Sequence, residues 1–353
     1  MIPKPLRMLL PAAVLLLAGC NTVVMNPSGD IANQQAHLIW VSTLLMLLII
    51  VPVILLTLLF AWRYRASNKE AAYEPEWDHS TSLELVIWGA PLLIIIALGL
   101  LTWINTHKLD PFRPLERLDA QRAIPAETKP LEVEVVALDW KWLFIYPEQG
   151  IATVNELAAP VDRPIHFRIT SSSVMNSFYI PALAGQIYAM PGMQSQLNAV
   201  INQPGEYKGF SSNYSGAGFS GMHFKFYGLN DADFSQWVAK AKSSGTELAR
   251  ESYLELRQPT INAPVQYFGK VATDLFAAEV DRCVEPGKMC MSKMAAIDAA
   301  GGMGPNTFQV GDRLPFEAPG RRFIKTQECT PQNSAAAVQS LALATPTATG
   351  ARE

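Results

Sequence analysis

Leu38 to Trp62 reads LIWVSTLLMLLIIVPVILLTLLFAW, without one charged side chain. A helix needs about 20 apolar residues to cross the ~30 Å hydrocarbon core of a bilayer, and this run is longer. A soluble surface helix keeps a polar face, which this run lacks. Leu85 to Thr106, LVIWGAPLLIIIALGLLTWINT, repeats the pattern. The two runs predict transmembrane helices at 38–62 and 85–106, joined by a loop at 63–84. Pro52 and Pro91 inside them are compatible with membrane helices, where neighbours satisfy the freed carbonyls. Trp62, Trp88 and Trp103 suit the interfacial belts.

The flanks orient this hairpin. Arg63, Arg65 and Lys69 follow the first run, whereas Asn21 to His37 holds no Lys or Arg. Positive charge stays on the cytoplasmic side, so the 63–84 loop faces the cytoplasm and both ends of the hairpin face outward. The N-terminus agrees independently. MIPKPLRMLLPAAVLLLAGC has a basic start at Lys4 and Arg7, an apolar centre from Met8 to Ala18, and a cysteine at position 20. That is a secretory signal layout, expected at 1–19. Leu-Ala-Gly-Cys resembles the bacterial lipoprotein signal, which implies acylation of Cys20 and a lipid anchor on the outer face of the inner membrane. Residues 20–37 form a short periplasmic segment.

Over its 353 residues the chain is 49% hydrophobic and only 17% charged, with a net charge of -3. Soluble domains carry about 25% charged residues, so the chain is short of charge. This argues against a nucleic-acid partner, which needs a basic surface. The mean hydropathy of +0.13 is a sum of two oily spans and an ordinary exported remainder.

After a linker at 107–129 the periodicity changes. Leu131-Glu132-Val133-Glu134-Val135-Val136 and Ile165-His166-Phe167-Arg168-Ile169 alternate with period two; Gln194 to Ile201 and His223 to Tyr227 look similar. Pro147, Gly150, Pro164, Pro191-Gly192 and Pro204-Gly205 punctuate them. Short alternating strands between frequent turns predict an all-β sandwich or barrel at 130–228. Asp231 to Ser243 reads as a helix, with Asp231 as its cap and Phe234, Trp237 and Val238 on one face. It opens a helical region at 229–278. From 279 to 353 small and polar residues predict a flexible tail.

Together, the signal, hairpin and exported β-domain resemble subunit II of the haem-copper respiratory oxidases. Ala137-Leu138-Asp139-Trp140-Lys141-Trp142 is similar to the aromatic segment that opens that family's cupredoxin domain. Val174 to Pro181, VMNSFYIP, is similar to its segment of a histidine followed by Ser-Phe. Gly209 to Met222, GFSSNYSGAGFSGM, is similar to its copper loop, C-x-E-x-C-x3-H-x2-M. The resemblance implies a two-helix transmembrane hairpin plus an exported all-β cupredoxin-like domain with a C-terminal helical extension.

The same alignment removes the metal. A binuclear copper centre requires bridging thiolates and imidazoles; hydroxyls and amides do not suit copper. The thiolate positions hold Ser211 and Ser215, the histidine positions Asn176 and Phe219, and the carbonyl-donating glutamate position Asn213. Met222 alone retains its thioether, and a core role is the better reading of it. Among His37, His79, His107, His166 and His223 no ligand spacing is recognisable. Cys283 and Cys290, with Cys329 beyond, suit a disulfide in an oxidising compartment, and the sequence leaves the pairing open.

A cupredoxin domain without copper resembles the branch of the family fed by ubiquinol, the cytochrome bo type. Trp140 to Gly150, WKWLFIYPEQG, and Phe219 to Met222 carry that likeness. It implies a subunit of a proton-pumping quinol oxidase that binds no cofactor itself. Haems, copper and the quinol site are then expected in subunit I, with subunits III and IV as further partners, and Trp140 and Trp142 are expected to pack against subunit I. Glu84, just before the second run, resembles a family glutamate at the cytoplasmic mouth of a proton pathway. It reads equally as an interfacial carboxylate favoured by the helix dipole. Two other functions remain open at this point: an electron-accepting subunit of the cytochrome c oxidase type, and a free cupredoxin-like membrane lipoprotein.

Overall fold

A computed structural model describes residues 22–72 and 74–299. The signal segment, Cys20 and the stretch from 300 onward, with Cys329, lie outside the described residues.

Two long helices come first, α1 (Asp30–Arg63) and α2 (Thr81–Lys108). Each extends past its apolar run into polar residues at both ends, because the i to i−4 hydrogen-bond ladder does not stop where apolarity stops. They touch each other, and Ile94 is buried, yet Leu85 and Trp88 remain 71% and 77% exposed. Apolar surface on this scale is stable only in lipid or against other apolar helices.

The β-domain is a sandwich of two sheets. The larger has the order β12-β3-β2-β1-β5-β8 and the smaller β4-β10-β9-β6-β7. Its strands are β1 (Leu131–Leu138), β2 (Lys141–Tyr146), β3 (Ile151–Val154), β4 (Glu156–Pro160), β5 (Ile165–Ser171), β6 (Asn176–Tyr179), β7 (Ile187–Ala189), β8 (Ser195–Ala199), β9 (Gly205–Ser211), β10 (His223–Leu229) and β12 (Gln266–Phe268). The pairs β1–β5 and β4–β10 are parallel and the rest antiparallel. Between the sheets, Val133, Val135, Trp142, Phe144, Phe167, Phe178 and Phe226 are fully buried. Burying each such side chain contributes about 1.5–3 kcal/mol.

Alternation holds only where one face meets water. In the first half of β1, Glu132 and Glu134 point away from the core and pair across the parallel register with His166 and Arg168, at 2.9 Å each. In the second half, and throughout β2, both faces are buried. The outer face, formed by Val136, Leu138, Leu143, Ile145 and Val154, is covered by Leu248, Tyr253, Phe268, Leu275 and Phe276 from the C-terminal region.

That region contains α3 (Asp231–Lys242), α4 (Arg250–Leu256), α5 (Leu275–Val280) and α6 (Met291–Ala299), and a small ladder of β11 (Glu247–Leu248) with β13 (Lys270–Val271). Three expectations need correction. The cap of α3 is Asn230, whose side chain accepts from Asp233 N at 2.8 Å, and not Asp231. The region is not only helical, since β12 joins the main sheet beside β3. The flexible tail expected from 279 is folded to Ala299, with Cys283 bonded to Cys290. The chain divides after Ala295, and the described part of its second unit is only the last turn of α6.

The hairpin enters the domain without slack. Gly29, just before α1, bridges to Ile201, and a Cβ there would lie 2.7 Å from two carbonyl oxygens. Buried Asp30 takes two hydrogen bonds from Arg117, at 2.9 and 3.1 Å, and one from Gln34. On the return side, Asn198 and Asn202 hold the carbonyls of Pro111 and Leu118, and Arg122 grips Asp162 with both terminal nitrogens at 2.8 Å.

Glu156 at the start of β4 ties the extension to the sandwich. Its Oε1 accepts from Trp237 Nε1 at 2.7 Å and Tyr267 Oη at 2.6 Å. Glu156→Ala leaves both donors unmatched and is expected to cost about 3 kcal/mol, whereas Glu156→Gln, which keeps an acceptor, costs less. Denaturant unfolding of the full chain in detergent, followed by tryptophan fluorescence, checks this; an unchanged midpoint for Glu156→Ala rules it out.

Candidate functional site

The six positions singled out in the copper-like loop come from one end of the smaller sheet. β6 starts at Asn176, β9 ends at Ser211, and β10 begins just after Met222. β6 and β9 pair with Phe178 opposite Ser211, which brings Asn176 beside the Ser211 hydroxyl. Ser211 Oγ lies 3.1 Å from Asn176 Oδ1 and 3.2 Å from the Asn213 carbonyl, and it accepts from Ser177 N at 3.4 Å. Asn176 Nδ2 donates to the Val174 carbonyl and Asn213 Nδ2 to the Met175 carbonyl, both at 3.1 Å. Ser215 Oγ reaches Met222 Sδ at 4.0 Å, and Met222 is 1% exposed within the core. Phe219 stands apart from this network, edge-on to Tyr214 at 5.6 Å.

Trp140 fixes the loop from above. It lies in the two-residue turn between β1 and β2 with φ of 64°, a left-handed conformation that costs a bulky residue about 1–2 kcal/mol. Its indole donates to the Ser215 carbonyl at 3.0 Å and presses on Gly216 and Gly218. A Cβ on Gly218 would come within 2.3 Å of the ring, so this close approach requires glycine. Trp142 is fully buried among Phe178 and Phe224. The expectation that both tryptophans pack on another subunit is corrected for Trp142, which serves the core; the indole of Trp140 braces its own chain's loop.

No thiolate, imidazole or carboxylate is present among the six, so they do not fit a binuclear copper centre. His166 is engaged with Glu132, and His223 packs edge-on to Phe210 at 6.1 Å, its imidazole pushed below the usual range by burial and Lys208. Among the described residues, one group has three side chains of metal-ligand type close together: Asp281, Cys283 and Cys290. Its two sulfurs are bonded to each other and offer no thiolate.

At the other end of the hairpin, Glu84 sits in the first turn of α2. Its Oε1 lies 2.7 Å from His79 Nδ1, and His79 Nε2 lies 3.2 Å from Thr81 Oγ1. The sequence singled out Glu84 but not His79. The available signal was a histidine in the segment just before a helix whose first turn holds a carboxylate.

Two family models match this chain: "Cytochrome C oxidase subunit II, periplasmic domain" over residues 131–226 and "COX Aromatic Rich Motif" over 242–287. The chain is 51% identical to "Cytochrome bo(3) ubiquinol oxidase subunit 2" of Pseudomonas putida, over 76% of this chain and 83% of that one. It is 52% identical to "Ubiquinol oxidase subunit 2" of Acetobacter aceti, over 75% and 84%. It is 37% identical to "Quinol oxidase subunit 2" of Bacillus anthracis, over 72% and 86%.

Ser211→Ala deletes the hydroxyl that serves Asn176, Asn213 and Ser177. It is expected to lower stability by about 1–3 kcal/mol through buried groups left without partners. Thermal unfolding of the full chain measures this, and an unchanged midpoint counts against the network.

Proposed function

The chain belongs to the family of ubiquinol oxidase subunits 2, and from that membership we propose that it serves a quinol-oxidising, oxygen-reducing, proton-pumping complex without holding a redox centre. One observation carries this reading. The residues at the copper-ligand positions are neutral, and the Ser211 hydroxyl lies within hydrogen-bond distance of both Asn176 Oδ1 and the Asn213 carbonyl. Quinol delivers electrons inside the membrane, so such a complex needs no copper port on its outer domain. Haems, copper and quinol then belong to subunit I. The present chain braces that subunit through the exposed apolar surface of its hairpin and caps its outer face with the sandwich. Subunits III and IV complete the assembly.

The membrane placement proposed is the bacterial inner membrane, with the β-domain outside and the 63–84 loop inside, supported by Arg63, Arg65 and Lys69. Cys20 is the proposed lipid attachment point. Glu84 then lies on the proton-supplying side, half exposed at the foot of α2, and collects protons for a pathway in subunit I.

Two measurements on the purified complex test the reading. Metal analysis of this chain, separated and loaded with copper, is expected to find far less than one copper per chain; stoichiometric copper would replace the proposal with the electron-accepting one. Glu84→Ala is expected to slow quinol-dependent oxygen uptake roughly tenfold, equivalent to about 1.4 kcal/mol of barrier, at unchanged haem content. Wild-type turnover in that variant removes Glu84 from the proton path.

A further inference from the structure

We propose that Asp281, Cys283 and Cys290 form a zinc site that opens when the Cys283–Cys290 bond is reduced. It shares no residue with the Ser211 loop and does not depend on how that loop is read.

The chain makes a tight return here. α5 ends at its cap Asp281, and α6 begins at Met291. Between them Gly287, at φ 79°, takes the left-handed conformation that lets the loop reverse. Met291 N donates to the Asp281 carbonyl at 3.0 Å, and Cys283 N to the Ala278 carbonyl at 2.9 Å. Arg257, at the end of α4, pairs with Glu285. None of these contacts involves sulfur, so they hold the loop when the disulfide is cut.

The ligand atoms are already gathered. An Asp281 carboxylate oxygen and the two sulfurs all lie within 4.8 Å of one another. Zinc binds thiolate at about 2.3 Å and carboxylate at about 2.0–2.2 Å, so its tetrahedral ligands stand roughly 3.5 Å apart. Side-chain rotation covers that difference. Asp281 is held in place: Oδ1 accepts from Ser292 N at 2.7 Å and Oδ2 from Ser292 Oγ. A carboxylate has about four acceptor sites, of which Ser292 takes two. The rest are open to a metal, with Ser292 as the outer partner that fixes the ligand's angle. Two thiolates and a carboxylate leave the fourth position to water. The carboxylate favours zinc over copper(I), which prefers sulfur ligands alone.

Opening the site is a thiol–disulfide exchange, and the reductant is a dithiol. Cys283 is buried and Cys290 partly exposed, so the incoming thiolate meets Cys290. It attacks Cys290 Sγ, the S–S bond breaks, and Cys283 leaves as thiolate. The second sulfur of the dithiol then displaces Cys290. The dithiol becomes a disulfide, and its two electrons and two protons pass to the cysteines. Zinc binds both as thiolates and releases the two protons to water. The metal then joins the same two residues that the S–S bond had joined. Cys283 is part of the cover over the larger sheet, so that cover keeps its fastening under reducing conditions.

Zinc binding by the full chain in detergent, with Cys329→Ser so that Cys283 and Cys290 are the pair read, tests the proposal. After reduction by a phosphine the chain is expected to hold about one zinc, and before reduction almost none. Cobalt(II) in its place is expected to show the strong visible bands of tetrahedral thiolate coordination. Cys283→Ser should abolish this binding. Asp281→Asn and Ser292→Ala keep both cysteines and are each expected to weaken it about tenfold. Zinc should also raise the unfolding midpoint of the reduced chain. A reduced chain that stays folded by tryptophan fluorescence yet takes up no zinc overturns the site. So does a reduced chain that unfolds and is not refolded by zinc. Unchanged affinity in both Asp281→Asn and Ser292→Ala overturns it as well. Stoichiometric copper in the chain with its disulfide intact would fail the functional reading and leave these results untouched.

Discussion

Burial of the centre of the larger sheet on both faces is the constraint on which the rest depends. A sandwich strand normally meets its partner sheet on one side and water on the other. In β1 and β2 the outer side carries Val136, Leu138, Leu143 and Ile145, which water would not tolerate together. The C-terminal region is the cover for that surface, through Leu248, Tyr253, Leu275 and Phe276, and so belongs to the same folding unit. Glu156 and the Cys283–Cys290 bond hold the cover in place. Along β9 and β10 the smaller sheet keeps its outer face exposed, and the copper-like loop stands at one end of these strands.

Within that loop, the fold of a metal site is kept by other means. A copper centre would draw the β6 end, the β9 end and the following loop together through coordinate bonds. Here the same three segments converge on the Ser211 hydroxyl, with the indole of Trp140 pressed over Gly216 and Gly218. Each hydrogen bond contributes only about 1 kcal/mol net, so the network needs burial and steric closure as well. The left-handed turn at Trp140 persists because the loop below holds its ring.

Much of this was legible in the chain. Uninterrupted apolarity in Leu38–Trp62 and Leu85–Thr106 states its environment directly, because no soluble packing can use it. The copper-loop spacing located six residues, five of which share contacts in two neighbouring groups. Most of what escaped was contacts between residues far apart in sequence. The run Lys141–Tyr146 is apolar on both faces, but nothing in it names Phe276 as a partner. β12 has three residues, too few for a period to register. Trp142 looked like an interface residue because an aromatic motif does not say which way its rings point. His79 was passed over because a lone histidine in a loop has no spacing to be read against.

Gly29 and Asp30 have a consequence for assembly. The chain passes from its bridge with Ile201 into α1 with no intervening coil, and Arg117 closes the joint from the other side. Helix and sandwich therefore reach a partner already oriented with respect to each other. A subunit joined by a loose tether would surrender that orientational freedom at the moment of docking. In this chain the freedom is lost during folding, so contacts made by the hairpin in the membrane also fix where the outer domain comes to rest.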